Sequence, residues 1–320
     1  MDPACNRLHE TVDPRKGCDT MTLATKADLT GVIPPLVTPF DADENIDVEA
    51  LRAEIRFHLT AGVHGLCVTG STGDGQMLSI EQSVTVARVA AEEVAGAVPV
   101  IAGIIRDSTA EVVRYGLALK ETGVDALQVT PVHYLFQPDE DTTVEYYRRI
   151  TEATGMPVVI YNVIPYALIP ATTVCRVLQE VDLVIGVKQS GGNIHQLADL
   201  LKAAPSGGAV LTAVDDLLYP AYLLGAQGSI SATLTVVPEL CVAQWNAVRA
   251  GDHKTALDIH NKLLPVWRAI DGPNMTVRIK AALALQGRDG GLGAHPLTPV
   301  SDAERDAIRA ALVEAGVLPV

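Results

Sequence analysis

The chain has 320 residues with 24 basic and 38 acidic side chains, a formal net charge of −14 that repels phosphate backbones and anionic lipid surfaces. Hydrophobic residues make up 48%, charged residues 19% and aromatics only 4%, the composition of an aliphatic globular protein whose length allows one large or two ordinary domains. Nucleic acid and membranes are therefore not expected as partners, and a core of this size needs neither disulfide nor metal to hold it. Cys5, Cys18, Cys67, Cys175 and Cys241 are odd in number and show no C-x-x-C spacing, which argues against a disulfide framework or a zinc site and for a reducing cytoplasm.

Residues 1–27 read as a loose extension with no apolar signal segment, and Met21 is as good a candidate for the natural start as Met1. Patterned sequence then begins near Gly31. Short β-branched runs at 33–38, 64–70, 98–104, 125–130, 156–161, 183–188, 209–213 and 228–231 alternate with helical periodicity at 48–61, 80–95, 109–122, 142–154, 171–179, 194–203 and 217–224. Several of these helices follow an Asp, Ser, Thr or Asn able to cap the first turn. Eight such units predict an α/β chain folded as a (β/α)8 TIM barrel over 28–235, with a doubly wound open sheet as the weaker alternative. Helical stretches at 238–250, 254–270, 274–285 and 302–315 give a C-terminal helical region, 236–320, with no linker to separate it, so it is expected to pack on the barrel.

In a barrel of this kind the chemistry lies where strands end. The polar groups there are Ser71, Thr72, Gly73 and Asp74 after the second run, His133 and Tyr134 after the fourth, Tyr161-Asn162 after the fifth, Lys188 after the sixth, Asp215-Asp216 after the seventh and Ser231 after the eighth. An ammonium closing the apolar run 183–187 is the most informative, because desolvation favours the neutral amine that attacks a ketone to form a Schiff base. A strand-end lysine also snorkels to solvent. Tyr161, on the adjacent run, would supply a phenol for proton transfer, although rim tyrosines also simply pack. The loop 70–73 offers amides and hydroxyls suited to a carboxylate or phosphate, and matches no nucleotide-binding motif. Asp215-Asp216 stand directly before a helix and are read as its cap rather than as an acid/base pair. His253 and His260 read as surface residues, and Trp245 and Trp267 as core or interface.

Taken in order, the segments Gly31-Val32-Ile33-Pro34-Pro35-Leu36-Val37-Thr38-Pro39-Phe40, Gly70-Ser71-Thr72-Gly73-Asp74, Tyr161-Asn162-Val163, Gly186-Val187-Lys188 and Gly225-Ala226-Gln227-Gly228-Ser229-Ile230-Ser231 resemble the dihydrodipicolinate synthase and N-acetylneuraminate lyase superfamily over about residues 31–290. The resemblance implies a barrel with a helical appendage, Lys188 as the Schiff-base lysine, Tyr161 as proton relay, and a keto-acid carboxylate held by Ser71 and Thr72 with Gly73 and Ile230 beside it. It implies no metal, no organic cofactor and a homo-oligomer, tetramer or dimer. Four features depart from the pattern, one of them Gln189-Ser190 where the synthase has Glu-Ala after the lysine. Tyr166 stands where the synthase has an arginine for the carboxylate of its aldehyde partner. Val132-His133 replace a tyrosine pair, so that His133 or Tyr134 would have to take over a relay role lent by a neighbouring subunit. Ser71 and Asp74 replace Thr and Glu. The expectation is a Schiff-base lyase or synthase acting on pyruvate or a related 2-keto acid, together with an aldehyde. Tyr166 and Phe136 would form aromatic walls of the outer pocket, and Arg106 is the reserve cation. The alternatives are a 4-hydroxy-tetrahydrodipicolinate synthase of lysine biosynthesis, a 2-keto-3-deoxy sugar acid dehydratase or deaminase, and a catalytically silent keto-acid-binding protein.

Overall fold

The computed structural model describes residues 29–320; the predicted loose extension, Met21, Cys5 and Cys18 lie outside the described residues. Eight strands form one parallel sheet: β1 (Gly31–Val32), β2 (Leu66–Val68), β3 (Val100–Ile104), β4 (Ala126–Val129), β5 (Val158–Asn162), β6 (Val184–Gln189), β7 (Ala209–Thr212) and β8 (Gly228–Ser229). Their hydrogen-bonded order is β1-β8-β7-β6-β5-β4-β3-β2. The sheet curls until the chain beyond β1 meets β2, where Pro35 and Cys67 form a parallel bridge and Cys67 N–H donates to Pro34 O at 2.9 Å. The predicted first strand, 33–38, is thus mostly extended chain outside the ladder. Pro34 and Pro35 have no N–H to donate, so only the isolated bridge survives.

Between the strands run α1 (Val48–Thr60), α2 (Ile80–Val94), α3 (Thr109–Lys120), α4 (Glu140–Thr154), α5 (Ala171–Glu180), α6 (Ile194–Ala203) and α7 (Leu218–Leu223). Side-chain caps fix their starts. Asp47, Ser108 and Asn193 accept amides of the first turns of α1, α3 and α6, and Ser79 with Gln82 makes a full capping box on α2. Helix α4 begins at Glu140, ahead of the predicted 142, because Asp139 accepts from Thr142 N–H at 2.8 Å.

Every strand residue is buried, which is why the runs read as continuously apolar rather than alternating. Ile33, Cys67, Ile101, Val159, Leu211 and Ile230 belong to an inner cluster distinct from the larger one between strands and helices. Beyond β8 come α8 (Thr233–Val236), a buried turn of helix that the sequence pattern did not signal, and then α9 (Pro238–Arg249), α10 (His253–Ile270), α11 (Met275–Leu285) and α12 (Asp302–Glu314). Helix α10 packs on α7, α9 and α12, and α11 reaches a short 3-10 turn, Ser71–Gly73, that follows β2. Among the described residues no helix is long and apolar enough to cross a membrane.

Candidate active site

Parallel pairing sets the centre of the site. Strands β5 and β6 are in register such that Tyr161 and Lys188 are direct partners, one residue short of where each strand ends at Asn162 and Gln189. The Lys188 Nζ lies 4.0 Å from the centroid of the Tyr161 ring, and the two side chains are 5% and 3% exposed. The Tyr161 hydroxyl is 3.0 Å from Ser71 Oγ, which joins the end of β5 to the turn after β2.

That turn is held by backbone geometry. Thr69 has φ +54, unusual for a β-branched residue, and its Oγ1 donates to Gly103 O at 2.9 Å. The chain then doubles back so tightly that a Cβ on Gly75 would lie 1.8 Å from Thr69 O. Gly73 is equally confined, because its Cβ would meet Leu36 O at 2.8 Å, and its carbonyl accepts from Thr38 Oγ1 at 2.7 Å.

Lys188, Tyr161, Ser71, Thr72 and Ile230 line one cavity of about 430 Å³, within the range of small-molecule sites. Gly73 supports this wall from behind and does not line it. His133, Tyr134, Tyr166 and Phe136 are likewise absent from the lining. Tyr134, Phe136 and Tyr166 are exposed on the loops after β4 and β5, and the His133 ring faces Pro131 O and Asp107 at 2.9 and 3.2 Å. The β5–α5 loop is anchored by Asn162 instead, which accepts from Ile169 N–H at 2.8 Å and donates to Gln189 Oε1 at 2.9 Å. The expected aromatic outer wall of Tyr166 and Phe136 is therefore corrected. Arg106 is also elsewhere: its guanidinium is spent on the carbonyls of Gly75, Ile105 and Leu78 and on Tyr115.

The outer wall is acidic. Asp215, Asp216 and Asp271 line it with one guanidinium, Arg268, which is 2.7 Å from Asp216. This overturns the capping role assigned to Asp215-Asp216: neither α7 nor the 3-10 turn before it has a side-chain cap. Asp215 accepts the Thr233 amide at 2.6 Å, from beyond β8. Burial pushes its carboxyl up, against hydrogen bonds from Thr233 and Ser231 and the nearby charge of Lys188. Ser190 adds a hydroxyl with no hydrogen-bond partner to the same wall, which Ser231 also lines. Among the described residues no three His, Cys, Asp or Glu side chains converge as a metal site.

Comparison with known proteins agrees with this architecture. Residues 28–315 match the sequence model of the dihydrodipicolinate synthetase family. The chain is 36% identical to the 4-hydroxy-tetrahydrodipicolinate synthase of Methylibium petroleiphilum, over 91% of this chain and 99% of that protein. It is 33% identical to the Methanopyrus kandleri enzyme of the same name, over 91% and 98%. Among solved structures, dihydrodipicolinate synthase from Aquifex aeolicus superimposes with a TM-score of 0.85 at 28% identity, covering 90% of this chain and 98% of that one. A prophage protein of Escherichia coli from the dihydrodipicolinic acid synthase family, solved with pyruvate, gives 0.86 at 26% identity, covering 91% and 99%. With a family match across nearly the whole described chain, on a parallel α/β sheet with helices appended at its C-terminal end, the chain belongs to the dihydrodipicolinate synthetase family.

Proposed function

We propose that the protein is a class I, Schiff-base-forming lyase or synthase acting on pyruvate or a closely related 2-keto acid, with Lys188 as nucleophile and Tyr161 as proton carrier. One observation carries the residue assignment: a buried amine over a phenol ring, with that phenol bonded to a hydroxyl on the opposite wall of the same cavity. The Lys188 amine adds to the C2 ketone, and the carbinolamine oxygen leaves as water after protonation through Tyr161. The resulting imine loses a C3 proton to become an enamine. The enamine adds to an aldehyde carbonyl, or forms in the reverse direction by C–C cleavage. Ser71 and Thr72 receive the keto-acid carboxylate on their hydroxyls, and Ile230 packs against the keto acid. No step calls on a metal or organic cofactor.

The same reading includes a closed (β/α)8 barrel over 28–235 with the 236–320 helices packed on it, in the cytoplasm. It also includes association with further copies of the chain, supported by the exposed run Tyr134, Leu135 and Phe136, which are 67%, 86% and 66% accessible. For the second substrate we favour a neutral, polar aldehyde, because the cavity wall carries three carboxylates against one guanidinium that is already paired. Condensation with aspartate semialdehyde is the second reading, favoured by the names of the relatives. The decisive experiment is borohydride reduction with a panel of 2-keto acids, read by intact mass. One adduct per chain on Lys188, lost in Lys188→Ala, is expected, and an unmodified wild type with every keto acid would overturn the proposal.

A further inference from the structure

A buried charge pair behind the Ser71–Gly73 turn takes no part in the chemistry above. Lys280, on α11, is 3% exposed, and its Nζ donates to Thr38 O at 2.7 Å and to Leu292 O at 2.6 Å. It lies 3.5 Å from Asp74 Oδ2. Asp74 is fully buried, holds φ +55 at the end of the turn, and its Oδ1 has no hydrogen-bond partner. Thr38, whose carbonyl the ammonium holds, donates its own hydroxyl to Gly73 O. One ammonium thus ties the chain after β1, the turn that carries Ser71 and Thr72, and the segment after α11 into a single knot.

Such a pair is a poor source of stability, since the attraction between the two charges only offsets the cost of removing both from water. What it supplies is position. A methylene chain in place of the ammonium would leave two carbonyls without a donor and a buried carboxylate without a counter-charge. The turn would then shift to find water. We propose that Lys280, with Asp74, is a positioning residue that fixes the Ser71–Thr72 turn for the keto-acid carboxylate, so that α11 of the C-terminal region sets affinity for the first substrate. This rests on the function proposed above for that turn.

The test titrates pyruvate in the borohydride reaction for wild type, Lys280→Met, Lys280→Arg, Asp74→Asn and the Lys280→Met/Asp74→Asn double variant. It also follows amide hydrogen exchange over residues 71–75. A displacement of the turn by an ångström corresponds to about a 10- to 100-fold rise in half-saturating pyruvate for Lys280→Met and Asp74→Asn, with one adduct per chain still reached at saturation. Lys280→Arg should recover most of the affinity. The double variant should be no worse than either single one, as for groups that act as a unit. Amides 73–75 should exchange faster in both single variants. A merely structural role would lower the trapped fraction and leave the half-saturation point where it was, as Ile279→Ala, in the core of α11, should do. A folded Lys280→Met or Asp74→Asn with wild-type half-saturation, or unchanged exchange over 71–75, would overturn the inference. Should Lys280→Met fail to fold, the Asp74→Asn and Lys280→Arg titrations decide it. If wild type forms no adduct with any keto acid, the proposed function falls and the exchange measurement alone judges Lys280.

Discussion

Replacing Tyr161 by phenylalanine separates the phenol's chemistry from everything else its side chain does. The ring that lies 4.0 Å from Lys188 Nζ stays, so the burial of the amine and its contact with the aromatic face are retained. Two things are lost. One is the hydrogen bond to Ser71 Oγ at 3.0 Å, worth about 0.5 to 1.5 kcal/mol, or roughly 2- to 12-fold in the affinity of whatever Ser71 holds. The other is the proton carrier proposed above, whose removal costs about 10²- to 10⁴-fold in rate. The two are distinguishable because Ser71→Ala removes that bond, and with it a hydroxyl offered to the carboxylate, but keeps the phenol. A suitable assay needs no second substrate: pyruvate in deuterated water exchanges its C3 protons through the enamine, and the decay of the methyl signal gives the rate. Tyr161→Phe should slow exchange by about 10²-fold or more at saturating pyruvate, Ser71→Ala by roughly 12-fold at most, and Lys188→Met should abolish it. If Tyr161→Phe exchanges as fast as Ser71→Ala, Tyr161 is not the proton carrier and the mechanism needs another group.

Aspartate semialdehyde, compared with neutral aldehydes at saturating pyruvate, should have the lower kcat/KM, since a bidentate guanidinium contact with its carboxylate is worth about 10- to 150-fold and position 166 provides none. The opposite ranking would show that Arg268 leaves Asp216 to take that carboxylate. Asp125, which accepts from Val100 N–H at 2.8 Å, has its carboxyl pushed up to about 6 by burial from an unfolded 3.8. The cost of ionising it in the folded state is absent below the lower value and complete above the higher, so Asp125→Asn should add about 1 kcal/mol of unfolding free energy at pH 8, after allowance for partial exposure, and nothing at pH 3.5. Equal gains at both would refute this. His58 is fully buried, its Nδ1–H donates to Glu54 O at 2.8 Å, and burial holds the imidazole down to about 3. Its contribution is therefore present above the unfolded 6.5 and lost as pH falls toward 3, at about 1.4 kcal/mol per pH unit, and His58→Phe should flatten that part of the denaturation profile. An unchanged slope would place the acid sensitivity elsewhere.

Some of this molecule is written locally in the chain and some is not. Lys188 and Tyr161 could be found because each comes at the end of an apolar run, and parallel neighbours in register bring such ends together. The caps on α1, α2, α3 and α6 are equally local. Asp215-Asp216 misled for the same reason that the caps succeeded: a carboxylate before a helix looks like a cap. The amide that claims Asp215 belongs to Thr233 and the guanidinium that claims Asp216 belongs to Arg268, both brought in by packing. Tyr166 misled differently. Its distance along the chain from Tyr161 marked the position of an arginine, but counting residues does not set where a loop side chain lies, and Asn162 fixes the backbone of this loop. Lys280 left no sequence signal, since its partner Asp74 is more than 200 residues away.

The residues that sequence missed share a location as well as a cause. Lys188, Tyr161, Ser71 and Thr72 come from strand ends and the turn directly after one, and they build the half of the cavity where a keto acid would be bound and activated. Trp267, Arg268 and Met275 come from α10 and α11, Asp271 follows α10, and they close the other half, against Asp215 and Asp216. The strand-end half must meet the geometric demands of an imine, so its residue types are constrained and recognisable. The helical half meets only the demands of a particular second substrate, and any side chain of suitable polarity at that depth serves. Changes at the cavity-lining residues Trp267, Arg268 and Met275 should accordingly redirect the choice of aldehyde while leaving pyruvate proton exchange intact, with Arg268→Ala the simplest case. If Arg268→Ala slowed that exchange as much as it changed aldehyde preference, the two halves would not be separable and the division argued for here would be wrong.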